Sequence, residues 1–196
     1  MPHFFTDDEN LMFTNLLIAS NILPKIDDLI ITVMVDEDNN LAVGKLKYTE
    51  IGYEKSMECL PPNIQEKNVE KFRQQIIGNE NPKKIILYSS KSGLAFFKML
   101  RNAVLKSKKL IAIEKGFEEF MGKSVAEICK WVKDRSNTRF HIISTCAKIF
   151  TITDKPDNFD NPLCIVLPRE KIPLTKAFFV MESKNIYIVS FSLLKN

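Results

Sequence analysis

Between residues 84 and 133 the chain reads as strand, helix, strand, helix, and this run limits its fold more than any other stretch. KIILY (84–88) is a short, β-rich apolar run. After SSKS (89–92), the segment GLAFFKMLRNAVLK (93–106) has the spacing of a helix. LIAI (110–113) is a second apolar run, and 117–133 carries Phe120, Met121, Ser124, Ile128, Trp131 and Val132 at helical intervals. Strands that alternate with helices pair in parallel, because a right-handed crossover returns the chain to the same end of the sheet. A third strand of the unit is expected to begin near Phe140, within FHIISTCAKIFTIT (140–153).

Hairpins flank this unit. LIITVMV (29–35), the polar turn DEDNN (36–40) and the alternating run 41–48 predict an antiparallel pair. AFFVM (177–181) and IYIVSF (186–191), joined by Glu182–Asn185, predict another, and Leu163–Leu167 reads as a strand after the polar loop 154–162. Before the first hairpin, Thr6 is placed to cap a helix that Asp7, Asp8 and Glu9 suit electrostatically. Its apolar positions are Leu11, Met12, Leu16, Ile18, Ala19 and Ile22, its end falls near Asn21, and Phe5 can staple onto Leu11. Leu60-Pro61-Pro62-Asn63 is a break, followed by a helix marked by Ile64, Val69, Phe72, Ile76 and Ile77 that stops at Gly78. The expected fold is α/β: one domain over 1–196, a mixed sheet with a central parallel strand-helix-strand-helix-strand unit, and antiparallel hairpins at both ends of the chain.

Several chemistries lack their residues. The four cysteines, Cys59, Cys129, Cys146 and Cys164, form no C-x-x-C pair, and the only histidines are His3 and His141. A zinc or histidine-rich metal centre is therefore not expected, nor a serine triad, which also needs a histidine in a constellation. The turn at Asp36 begins like a calcium loop but has Leu41 at the sixth position and Lys47 at the twelfth. Asp154, Asp157 and Asp160, with Glu170 nearby, could gather Mg²⁺ but show no defined ligand set. No cofactor is called for. No run of about 18 apolar residues crosses a membrane, MPHFFTDDEN has no basic leader, and unpaired cysteines suit a reducing interior, cytoplasmic or nuclear.

Charge supplies the stronger lead. Residues 1–60 hold four Lys/Arg and eleven Asp/Glu, whereas 83–148 hold fifteen Lys/Arg and five acids. Lys98, Arg101, Lys106, Lys108, Lys109, Lys123 and Lys130 form a candidate polyanion-binding set, and no aromatic RNA-binding strand or recognition helix accompanies them. A second candidate lies where the strands 84–88 and 110–113 end. If they are parallel neighbours, Ser89–Gly93 and Glu114–Gly116 share one edge of the sheet, where ligands of open α/β sheets bind. Ser90, Lys91, Ser92, Gly93 and Lys115 are the candidate phosphate-binding set, with Glu114 as an acid or base; the alternative for the serines is helix capping. SSKSG is neither a Walker loop nor G-x-G-x-x-G.

The sequence thus favours a non-enzymatic intracellular interaction protein, a subunit or adaptor of a larger assembly. Its expected partner is a protein or a second copy of the chain, since long apolar C-terminal strands invite edge pairing, with nucleic acid or another polyanion on the basic surface and no membrane. The alternative is a small enzyme acting on a phosphorylated ligand at the loops 89–93 and 114–116.

Overall fold

The computed structural model describes residues 7–60, 68–146, 150–152, 164–167, 170–171, 174–182 and 185–193. The Thr6 cap, the Phe5 staple, Pro61–Ile64 and the aspartates 154, 157 and 160 lie outside them. The chain divides into two compact units, Asp8–Ile142 and Ile143–Asn196.

The first unit is a three-layer α/β/α arrangement. Its elements are α1 (Asp8–Ser20), β1 (Leu29–Val35), β2 (Leu41–Thr49), β3 (Gly52–Leu60), α2 (Val69–Ile77), β4 (Lys84–Ser89), α3 (Ala95–Met99), β5 (Leu110–Glu114) and α4 (Met121–Lys133). The five strands form one mixed sheet in the order β3-β2-β1-β4-β5. β1 pairs with β2 antiparallel, from Leu29 opposite Lys47 to Val35 opposite Leu41. β1, β4 and β5 are parallel neighbours, with Thr32 opposite Ile86 and Leu87 opposite Ala112. This is the predicted mixed sheet with a parallel centre, and β1 is the strand that completes the parallel trio. The segment after α4 does not join as a third such strand: Ile142 makes a single parallel bridge to Tyr53 at the opposite edge, where the Tyr53 N–H donates to the His141 carbonyl at 2.7 Å.

Alternation along the strands builds two cores. Ile30 and Met34 of β1 and Ile86 and Tyr88 of β4 face one way, packing with Phe13, Leu16, Leu17 and Ile18 of α1. Ile31, Val33 and Val35 of β1 with Ile85 and Leu87 of β4 face the other, against Phe72, Ile76 and Ile77 of α2 and Phe97 and Leu100 beyond. Each such fully buried side chain contributes about 1.5–3 kcal/mol of transfer free energy. No residue of α1 after Asp8 is fully exposed, because the helix touches β4 and β5 on one side and α4 on the other. Its buried set therefore includes Phe13 and Leu17 besides the predicted Leu16 and Ile18. Phe13 can lie flat on the sheet because Gly44 sits beneath it: a Cβ there would stand 2.5 Å from the ring.

Helix ends differ in how they are made. Asn68 caps α2, its Oδ1 accepting the N–H groups of Glu70 (3.0 Å) and Lys71 (3.2 Å). Gly78, at φ 69°, closes the helix by donating to the Gln74 carbonyl at 2.7 Å. α3 begins at Ala95 and passes into a wider π-type turn over Leu100–Val104, where the Leu105 N–H reaches the Leu100 carbonyl at 2.8 Å. α4 follows a short 3₁₀ turn at Phe117–Glu119. Of its predicted apolar face only Ser124 is fully buried, and Met121 is exposed.

In the second unit, β6 (Phe150–Ile152) pairs antiparallel with β7 (Cys164–Val166), and β8 (Leu174–Glu182) with β9 (Asn185–Leu193). The C-terminal hairpin is thus present, with Glu182 opposite Asn185. Thr145 bridges to Lys171, and the Cys146 N–H donates to the Glu170 carbonyl at 2.8 Å. Within FHIISTCAKIFTIT the described strand is confined to 150–152.

Candidate functional site

Parallel pairing brings the two expected loops together. Ser89 stands opposite Glu114 at the carboxyl ends of β4 and β5, so Ser89–Gly93 and Glu114–Gly116 share one edge of the sheet. The third strand of that edge, β1, delivers the acidic turn 36–40 beside them, and Lys91 forms an ion pair with Glu37.

An anion does sit on the SSKSG loop, and it belongs to the chain. The Gly93 N–H donates to Glu114 Oε2 at 3.1 Å, while the other carboxylate oxygen of Glu114 accepts from Arg101 Nη1 at 2.9 Å. Gly93 can make this turn because its φ is +84°, a conformation that side-chain-bearing residues rarely adopt. The serines do not cap the helix: Leu94 is the N-cap residue of α3, with no side-chain cap bond. The Ser89 hydroxyl instead accepts the Lys91 N–H at 3.3 Å within the turn. Ser90 and Ser92 are exposed, and Lys115 is engaged with Glu119 at 2.6 Å. Three cations of this edge, Lys91, Arg101 and Lys115, and the Gly93 donor are therefore already satisfied by carboxylates of the same chain.

At the same edge, Asp36 folds its turn around itself. Asn40 donates both its side-chain amide (2.7 Å) and its backbone N–H (2.8 Å) to the carboxylate, and Asp38 adds its N–H at 2.9 Å. These bonds, the Asn40 amide first, hold the Asp36 carboxyl below its ordinary pKa. Next to this turn lies a predominantly apolar cleft of about 740 Å³, lined by Met12, Met34, Ala42, Met57, Cys59 and Tyr88 among others. Its methionines come from α1, β1 and β3. No sequence pattern announces it, because GYEKSMECL lacks the apolar alternation that marks a strand. The Tyr88 ring stacks on Phe117 with centroids 4.7 Å apart, and burial raises the pKa of its hydroxyl.

The basic set separates into two groups. Arg101 pairs with Glu114, Lys109 donates to Asn81 Oδ1 at 2.6 Å, Lys123 reaches the Ile18 carbonyl at 3.4 Å, and Lys130 pairs with Glu127 at 2.7 Å. Lys98, Lys106 and Lys108 are exposed and have no ion-pair partner among the described residues. Lys98 lies on α3, and Lys106 and Lys108 lie just past the π-type turn. His141 is half-buried and stacks on Trp131 at 3.9 Å, with the Arg135 guanidinium 3.7 Å from the Trp131 ring centre. Among the described residues no three His, Cys, Asp or Glu side chains converge as metal ligands, and no helix is long and apolar enough to cross a membrane. No protein-family model, curated protein or solved structure matches the chain.

Proposed function

We propose that the chain is a non-enzymatic interaction protein, a subunit or adaptor of a larger intracellular assembly, which receives a polyanion such as nucleic acid on the strip from Lys98 to Lys108. The observation that carries this reading is the group of three exposed lysines, Lys98, Lys106 and Lys108, whose charge no described carboxylate neutralises. Ammonium groups in water bind phosphates by releasing counterions, without regard to base sequence. A non-catalytic role fits Glu114, whose carboxylate is tied to Arg101 and Gly93 and so is poorly placed to exchange a proton with a ligand. The methionine-lined cleft offers a protein partner an adaptable apolar surface, and four free cysteines agree with a reducing interior.

Fluorescence anisotropy with a labelled duplex tests the reading. Affinity should fall with salt at a log–log slope of about −2.7 if three phosphates are neutralised. The triple reversal Lys98→Glu, Lys106→Glu and Lys108→Glu should abolish binding. Absence of binding at low salt refutes the polyanion partner.

A further inference from the structure

A second, smaller cleft of about 390 Å³ opens beside α2 at the amino ends of β4 and β5, the opposite edge from the SSKSG loop. Its walls include Glu70, Lys71, Arg73 and Gln74 of α2, the turn 78–82, and Lys109 just before β5. Two of its cations are fixed by neutral acceptors. Arg73 Nη1 donates to the carbonyl of buried Val104 at 2.9 Å, and Lys109 Nζ donates to Asn81 Oδ1 at 2.6 Å. A neutral acceptor orients a cation without cancelling its charge, so both remain available to an anion. Neither has a carboxylate partner among the described residues. Of the two acids on the walls, Glu80 is drawn to Lys45 at 3.5 Å, leaving Glu70 as the opposing charge.

We propose that this cleft binds a small phosphomonoester, with the phosphate held between Arg73 and Lys109. With Nη1 anchored on Val104, the remaining guanidinium N–H groups keep the planar fork that suits a phosphate, and Lys109 adds a point charge with donors to spare. The cleft volume lies at the lower end of the range for small-ligand sites. Gln74 and Asn79, which bond each other at 3.2 Å, supply amide groups for the hydroxyls of such a ligand. This cleft shares no residue with the Lys98–Lys108 strip, although Lys109 directly follows Lys108.

The test titrates the full chain with glycerol 3-phosphate, followed by amide NMR shifts, with glycerol and with sodium chloride at equal ionic strength as controls. Saturable shifts are expected at Arg73, Gly78–Asn81 and Lys109. Arg73→Gln and Lys109→Gln should each weaken binding by about tenfold, the scale of one charge-assisted contact. Arg73→Lys, which keeps the charge and a donor for Val104, should lose less and guards against a folding defect. Glu70→Gln should tighten binding by about twofold, since it removes a like charge from the wall. Lys47→Gln, outside the cleft and paired with Asp27, should leave the affinity unchanged. The proposal is overturned by an unshifted spectrum at about a hundredfold the concentration of a millimolar Kd. It is equally overturned if Arg73→Gln and Lys109→Gln bind like the parent chain, or if inorganic phosphate binds as tightly as the ester.

Discussion

Truncating Glu114 to alanine should turn an internal contact into an external one. The wild-type carboxylate makes an ion pair with Arg101 at 2.9 Å and accepts the Gly93 N–H at 3.1 Å. The Arg101 and Glu114 side chains are 40% and 20% exposed, so the pair belongs near the surface class, about 0.5–1 kcal/mol. The charge-assisted bond from Gly93 adds about 1 kcal/mol. Glu114→Ala should therefore cost about 1.5–2 kcal/mol in urea unfolding, or about 6 °C in Tm for a unit of this size. The variant leaves a guanidinium and a backbone N–H facing a space the size of a carboxylate, and acetate should fill it. At twice its Kd, acetate should return about 0.6 kcal/mol to the variant, and nothing to the wild type beyond a chloride control. In a double-mutant cycle, Arg101→Ala should couple to Glu114→Ala by about 0.5–1 kcal/mol. A loss below about 0.5 kcal/mol, or equal acetate stabilisation of both proteins, would show that the carboxylate does not hold this loop.

Two glycines should respond to alanine for different reasons. Gly44→Ala places a Cβ 2.5 Å from the Phe13 ring and from Thr32 Oγ1, an overpacking that should cost about 2–4 kcal/mol by calorimetry. Gly93→Ala meets no atom within 4 Å, so its cost should be the conformational one alone, about 1–2 kcal/mol, relieved by Asn. Tyr53 gives a pH signature: burial pushes its hydroxyl pKa up, and no hydrogen bond offsets this among the described residues. The folded state then keeps a proton that the unfolded chain loses near pH 10, so stability is intact below that value and falls as pH rises above it. Tyr53→Phe should flatten this alkaline slope; an unchanged slope places the loss elsewhere.

Much of this fold could be read from side-chain patterns, because β1 and β4 are buried on both faces. β1, β4 and β5 begin where the apolar runs begin, and the hairpin turn at 36–40 falls where the acids and asparagines are. β3 was illegible for a physical reason. GYEKSMECL is an edge strand with Glu54, Lys55, Ser56 and Glu58 exposed or half-exposed, so it carries little of the apolar alternation that identifies a strand. FHII misled in the opposite direction: Phe140, Ile142 and Ile143 are buried, yet the backbone makes one bridge there rather than a ladder. Apolar content reports burial, and here a turn is buried. The site was half legible. Loop spacing and parallel pairing predicted which segments would meet. The anion that fills the loop is Glu114, 21 residues from Gly93, and no local pattern announces that contact. Arg73 was missed because its meaning depends on Val104, 31 residues away.

The position of β1 at the middle of the order β3-β2-β1-β4-β5 bears on how the chain acquires its shape. One half of the sheet, β1 to β3, is an uninterrupted meander of consecutive residues, Leu29 to Leu60, closed by short turns. The other half waits on two helical crossovers. Short loops close quickly and parallel pairings slowly, so the meander should form first and serve as the template on which β4 and then β5 zip. During synthesis, residues 29–60 should be able to pair as a three-stranded meander before β4 and β5 are available. Substitutions at Val33 and Val43 should then slow folding, while those at Ala112 and Ile113 should mainly speed unfolding. The reverse pattern in a chevron series would put the nucleus in the parallel half. On this account the most acidic part of the chain is also its scaffold, and the basic part is laid down upon it.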